Sequence, residues 1–165
     1  QLPEEIPGVS VTNFLKYAKN KITGQPVKIF AFKEEVKKYM EELHINEKYM
    51  DRSLNVGFSG GEKKKNEVLQ IKLLTPSLII LDELDSGLDV DSLKIVCENL
   101  KSYLKEYPET SIIIITHYNM ILEYLKPDYV HILKDGKIQK TGDINLALEI
   151  EKDGYTGINA MIGNE

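Results

Sequence analysis

Leu78-Ile79-Ile80-Leu81-Asp82-Glu83 decides how this chain is read. Four apolar residues in a row are too few for a buried helix and suit a strand covered on both faces, and the run ends abruptly in two acids. Downstream, Ser111-Ile112-Ile113-Ile114-Ile115-Thr116 is a second such run, too β-branched to prefer helix. Between them, Asp89 to Tyr107 carries Leu93, Val96, Leu100, Leu104 and Tyr107 at helical spacing, and Pro108 stops it. Strand, helix and strand in that order imply a parallel sheet covered on both faces, and an α/β fold.

Upstream the character is helical. Gln1 to Gly8, with Pro3 and Pro7, reads as an extended loop. A helix is expected from about Val11 to Asn20, capped near Ser10. Another, from Ala31 to Leu43, places Phe32, Val36, Met40 and Leu43 on one face. Ser59-Gly60-Gly61-Glu62 opens a third with a capping box and should run to Leu74, before Pro76. No strand is expected before residue 75. Beyond the second apolar strand come a short helix near Met120 to Leu125 and the strand Tyr129 to Leu133. Asp135-Gly136 turns into a strand at Lys137 to Thr141, and a helix covers Ile144 to Lys152. The tail after Gly154 reads as loose. Two parts result: a helical part at residues 1–75 and an α/β part at residues 76–165.

The bulk numbers describe an ordinary globular chain: 165 residues, 42% hydrophobic and 28% charged. A net charge of -5 gives no reason to expect sequence-independent binding to nucleic acid. Cys97 is the single cysteine, so no internal disulfide can form. No apolar run approaches the length of a membrane span, and no targeting segment precedes the first loop.

Several short features could carry chemistry, and each also has a plain structural reading. An acid ending a parallel strand can bind Mg²⁺, and a second acid beside it can polarise a water; Asp82 and Glu83 could also simply begin a polar loop. The helix opening at Ser59-Gly60-Gly61 presents free amides to an anion, or is only a capped glycine turn. Asp85-Ser86-Gly87-Leu88-Asp89 caps the following helix. His117, just past the second strand, stands at the edge where ligands gather, or is structural.

Taken together, these features occur in the order and spacing of the ABC ATPase family, which the chain resembles over nearly its whole length. Phe58 to Glu62 resembles the signature motif, Leu78 to Glu83 the Walker B strand, Ser86 to Asp89 the D-loop, and His117 the switch histidine. Gln1 stands in the place of the Q-loop glutamine. Glu62, and Leu84-Asp85 after the acid pair, depart from the transporter pattern. With Gln1 to Ser10, Asn55 to Asn66, Thr116-His117-Tyr118 and Lys126 to His131, they resemble the SufC-type ATPases of the SUF iron–sulfur cluster assembly system. The implied fold is a partial P-loop NTPase domain: a helical signature subdomain plus the C-terminal part of a RecA-like core.

The resemblance implies ATP and Mg²⁺ as cofactors. Asp82 would hold Mg²⁺, and Glu83 would orient and deprotonate the attacking water. Gln1 would contact the metal or that water, and His117 the γ-phosphate. Ser59, Gly60 and Gly61, in a nucleotide-binding set with Glu62 and Asp89, would meet ATP held by a partner subunit in a head-to-tail pair. Lys64 is the candidate for a lysine that restrains Glu83, or is a solvated lysine. The implied partners are the SufB and SufD scaffold proteins, with no nucleic acid and no membrane insertion, in a plastid stroma (apicoplast-like) or a bacterial cytoplasm. No Gly-x-x-x-x-Gly-Lys-Ser/Thr occurs, since Gly136-Lys137 is followed by Ile138. The expectation is therefore that this chain alone does not hydrolyse ATP. The alternative reading is the ATP-binding subunit of a membrane transporter.

Overall fold

The computed structural model describes residues 1–117, 119–150 and 152. It divides into two compact units, Gln1–Thr116 and His117–Glu165.

In the first unit, β1 (Ile6–Ser10) pairs antiparallel with β2 (Ser53–Leu54), so the expectation of no strand before residue 75 is corrected. These strands carry no period-2 apolar pattern. They are held by their neighbours: Gly8 N donates to Ser53 Oγ at 3.1 Å, and Val11 N donates to the Arg52 carbonyl at 3.0 Å. Ser10 caps α1 (Val11–Thr23), and Gly24, at φ 70, ends it in the left-handed conformation that glycine adopts freely. Helix α2 (Ile29–Glu42) buries Phe32, Val36 and Met40, the face the sequence predicts, and Leu43 follows them into the core.

Helix α3 (Gly60–Leu74) begins at the predicted capping box, with both of its hydrogen bonds formed. It buries Val68, Leu69 and Leu73, and the stems of Lys64 and Lys72 as well. Lys72 is tied to Glu42 at the end of α2 and to Asn99 of α4 (Val90–Glu106). Helix α4 buries Leu93, Val96, Cys97, Leu100 and Tyr103. The expected stripe ended on Tyr107, which is exposed; Tyr103 takes its place because its hydroxyl reaches the Pro76 carbonyl at 2.9 Å.

β3 (Leu78–Asp82) and β4 (Ser111–Ile115) form a two-stranded parallel sheet in the register Leu78↔Ser111 through Asp82↔Ile115. The sequence calls for cover on both faces, and here the structure corrects it. Ile79 and Leu81 are buried. On the opposite face Leu78 is 52%, Ile80 60%, Ile113 50% and Ile115 49% exposed. Both strands alternate, so each points every second apolar side chain to this open face. Continuous apolar runs demand cover on two sides, and the described residues supply it on one. A groove of about 720 Å³ runs along β3, between Gln1–Pro3 and the α3 residues Glu67, Gln70 and Ile71.

The second unit holds α5 (Asn119–Leu125) and an antiparallel hairpin of β5 (Val130–Lys134) and β6 (Lys137–Gly142). Asp135 and Gly136, at φ 51 and 73, make its turn as the sequence predicts. Residues 144–150 are helical, and Leu146 packs with Ile132, Val130 and Ile150. The predicted loose tail beyond Gly154 lies outside the described residues. Among the described residues no helix is long and apolar enough to cross a membrane.

Candidate functional site

The two acids at the end of β3 point different ways. Asp82 lies on the open face of the sheet, and its Oδ2 sits 3.8 Å from the Gln1 backbone nitrogen. Glu83 leaves the strand at φ 50, a left-handed conformation that a side chain this long rarely adopts. Its amide still donates to the Ile115 carbonyl at 2.9 Å, so the ladder extends one residue past the strand. The Gln1 side-chain amide donates to Glu83 Oε2 at 2.5 Å. Three residues predicted to work together, Gln1, Asp82 and Glu83, therefore share one edge of the first unit.

Lys64 reaches the same turn from α3. Its ammonium donates to the Glu83 carbonyl at 2.5 Å, and to the Ser86 carbonyl and Oγ at 2.5 and 2.7 Å. Burial holds its pKa below the usual lysine value, against the pull of Asp85 and Glu83. The reading of Lys64 as a solvated lysine is corrected: it is 7% exposed and engaged.

The helix opening is built in layers. Ser59 N donates to Glu62 Oε2 at 2.7 Å, and Glu62 N to Ser59 Oγ at 3.3 Å. Tyr49 donates its hydroxyl to Glu62 Oε1 at 2.5 Å. Both Glu62 oxygens thus hold the cap, and the Tyr49 hydrogen bond is the main reason its carboxyl titrates below the usual range. Gly60 has open space where a Cβ would stand, and Gly61 has one atom, Leu88 Cδ2, at 3.4 Å. The amides of this turn are accordingly approachable by an anion.

Below the turn, Phe58 is buried against Tyr49, with ring centroids 4.4 Å apart. Arg52 lies over both rings, at 4.5 Å and 5.1 Å, and its guanidinium donates to the Val56 and Gly57 carbonyls. Sequence reasoning missed Tyr49 and Arg52 as supports. The signal available was that Arg52 is the sole arginine among many lysines, since a planar fork can stack and bond two carbonyls together.

The segment that carries Gln1 is bolted to α3. Asn55 donates to the Glu4 carbonyl at 2.8 Å and accepts from Asn66, and Lys63 pairs with Glu5 at 2.6 Å. Asp89 acts as a cap: its carboxylate accepts from the Ser92 amide at 2.7 Å and hydroxyl at 3.0 Å, and these bonds hold its carboxyl below the usual range. His117 is exposed at the first position of the second unit.

Against known proteins, no family model matches the chain. Among curated sequences it is 46% identical to the probable ATP-dependent transporter SufC of Escherichia coli, over 94% of this chain and 63% of that protein. It is 45% identical to a probable ATP-dependent transporter of Synechocystis sp., over 98% of the chain and 64% of the relative. The chain is SufC-like in sequence, and its fold matches part of an ABC ATPase cassette. The probable ATP-dependent transporter ycf16 of Antithamnion sp. is 43% identical over 96% of this SufC-like chain and 64% of that protein. The chain spans less than two thirds of the length of each of these relatives. Its fold matches a post-hydrolysis dimer of the ATP-binding cassette MJ0796 bound to ADP and Pi, with TM-score 0.70 and 16% identity, over 87% of this chain and 60% of that one. The cbiO1 structure from Clostridium perfringens gives 0.62 at 22% identity, over 92% and 57%.

The donors present suit one end of a nucleotide. Mg²⁺ is commonly held by one or two carboxylates together with substrate phosphates, and Asp82 with the Gln1 amide offers that kind of hard oxygen set. Among the described residues no three acidic, histidine or cysteine groups gather to hold a metal by themselves.

Proposed function

We infer that this SufC-like chain contributes the γ-phosphate and Mg²⁺ side of an ATP-hydrolysing site. The observation that carries the reading is the cluster at the end of β3. Gln1 grips the Glu83 carboxylate, and Asp82 stands exposed beside the Gln1 backbone nitrogen on the ligand edge of a parallel sheet. In this scheme Asp82 and Gln1 hold Mg²⁺, which neutralises charge on the β- and γ-phosphates. Glu83 accepts the proton of the attacking water. The Ser59-Gly60-Gly61 turn presents its amides, with Glu62 fixing the cap, to the γ-phosphate of ATP held by a second subunit. Asp89 joins the two sites, and His117 bonds the γ-phosphate.

Two ATPase subunits arranged head to tail would bring the Ser59-Gly60-Gly61 turn of each to ATP held by the other, while a Gly-x-x-x-x-Gly-Lys-Ser/Thr segment, which the chain does not contain, would have to cradle the α- and β-phosphates beside Asp82 and Glu83. The SufC-like sequence points to SufB and SufD as the proteins it serves, and to a plastid or bacterial cytoplasm as its compartment. Immobilised chain should retain SufB or SufD and ignore a transporter permease. Retention of the permease alone would instead favour the membrane-transporter reading.

A further inference from the structure

We propose that Asn55 is a positioning residue for the segment that carries Gln1: held in one orientation by Asn66 of α3, its side-chain amide ties down the Glu4 carbonyl. The proposal rests on the ATPase reading only for what Gln1 does at Glu83.

Asn55 stands where the pairing of β1 with β2 ends, just past the Ile6↔Leu54 pair. At φ 61 the chain leaves β2 in the left-handed conformation, which asparagine tolerates better than most side chains. The turn closes on its own backbone: Val56 N donates to the Ser53 carbonyl and Phe58 N to the Asn55 carbonyl, both at 3.2 Å. The side chain of Asn55 is not needed for that turn. It reaches back to the first strand's approach, where Nδ2 donates to the Glu4 carbonyl at 2.8 Å, three positions along the chain from Gln1. The side chain thus continues a ladder that the backbone has left.

A carbonyl can only accept, so Asn55 must present Nδ2 to Glu4 and Oδ1 to its other side. There Asn66 Nδ2 donates to Oδ1 at 2.9 Å. That orientation leaves Asn66 Oδ1 with no hydrogen-bond partner among the described residues, although Asn66 is 1% and Asn55 2% exposed. Buried polar groups are ordinarily satisfied, so the orphan oxygen marks Asn66 as oriented by what Asn55 has to hold. Glu67, the next residue of α3, lines the groove together with Gln1. Burial pushes its carboxyl up, and hydrogen bonds from Gln70 and Asn55 draw it back. Asn55 thus meets α3 at both Asn66 and Glu67. The neighbouring tie, Lys63 with Glu5, is partly exposed, where an ion pair contributes little. Leu2, between Glu4 and Gln1, is 86% exposed, so burial of its side chain does not place the run to Gln1.

The test is NMR on the 165-residue chain without nucleotide. Asn55→Gly permits φ 61 and removes the side chain, and Asn55→Asp keeps the shape and the acceptor for Asn66 but loses the donor. Lys63→Ala removes the ion pair to Glu5 instead. In either Asn55 variant the backbone order parameters of Leu2 and Glu4 should fall from about 0.85 to below about 0.6, while those of α3 stay unchanged. The Glu83 carboxyl carbon signal should move as it does in Gln1→Ala, a response that a general loss of packing would not reproduce. Lys63→Ala should stay close to wild type. In the wild-type chain the Asn55 side-chain amide protons should show cross-peaks to Glu4 and Glu5, and their absence would overturn the proposal even where both Asn55 variants fail to fold. A folded Asn55→Gly with Glu4 as ordered as in wild type would overturn it too. If Asn55→Gly frees Glu4 but Gln1→Ala leaves the Glu83 signal unmoved, the anchor stands and the contact behind the ATPase reading falls.

Discussion

Gln1 and Glu83 are 82 positions apart in sequence, and the Gln1 amide donates to the Glu83 carboxylate at 2.5 Å. The contact joins the first residue of the helical part to the acid that ends the decisive strand. It holds Glu83 while the backbone there sits at φ 50. The Gln1 amide stands on Oε2 of Glu83 and must move for a water to take that place.

Removing that contact should cost activity and little stability. Gln1 is exposed, and Gln1→Ala should change unfolding free energy by no more than about 0.5 kcal/mol. In a complete ATPase built on this chain, turnover should fall by up to about a hundredfold, because the general base loses its orientation. Paired urea melts and steady-state rates decide the matter; a large loss of stability would make the contact structural.

Lys64→Met should behave in the opposite way. It strips donors from the Glu83 carbonyl, the Ser86 carbonyl and the Ser86 hydroxyl, groups on one half-buried turn. The Glu83 carbonyl keeps the Ser86 amide as a donor, so the loss falls on the two Ser86 groups, and leaving such groups unsatisfied costs about 1–3 kcal/mol. A urea midpoint equal to that of wild type would show that the turn holds without the lysine.

Tyr49→Phe tests the layered cap. The variant keeps the ring against Phe58 and loses only the hydrogen bond to Glu62, costing about 1 kcal/mol at neutral pH. The sign of the pH dependence follows from the lowered Glu62 carboxyl. Its stabilisation is present above the unfolded value of 4.5 and is lost as pH falls through the lower folded value. Wild type should therefore lose its advantage over Tyr49→Phe below pH 4.5, in thermal melts at stepped pH.

Cys97 sets an alkaline limit. Burial pushes its thiol from 9.0 up to about 11, so the folded state keeps a proton that the unfolded state releases. Stability should fall between about pH 9 and 11, by roughly 2–3 kcal/mol from this group. Buried Tyr103 contributes in the same direction and Lys64 in the opposite one. The effect is therefore read as the difference between wild type and Cys97→Ala, whose slope in that window should be shallower. Equal slopes would show that Cys97 is not the group responsible.

The apolar runs at Leu78 and Ser111, the stripe of α2 and the capping box at Ser59 were all legible, because each is a local pattern with a single geometric solution. The pairing of Ile6–Ser10 with Ser53–Leu54 was not, since these residues pair through backbone and one serine hydroxyl, without alternation. Tyr103 in place of Tyr107 was hidden because a helical stripe does not say which tyrosine finds an acceptor. At the candidate site, Gln1, Asp82 and Glu83 could be named from their order. The Tyr49–Arg52–Phe58 stack beneath the Ser59-Gly60-Gly61 turn could not, since it depends on side chains meeting across elements, and Lys64 could be named only without the carbonyls it meets.

The central claim is that Glu83 is the base of an ATPase whose phosphate cradle lies outside these residues. The most direct measurement is ATP turnover by the chain joined to a P-loop-bearing segment from a SufC relative, compared with the chain alone and with Glu83→Gln. The account predicts turnover only when the two parts are joined, and a fall of about a hundredfold or more for Glu83→Gln with ATP still bound. Turnover by the chain alone, or a Glu83→Gln variant as active as wild type, would contradict it.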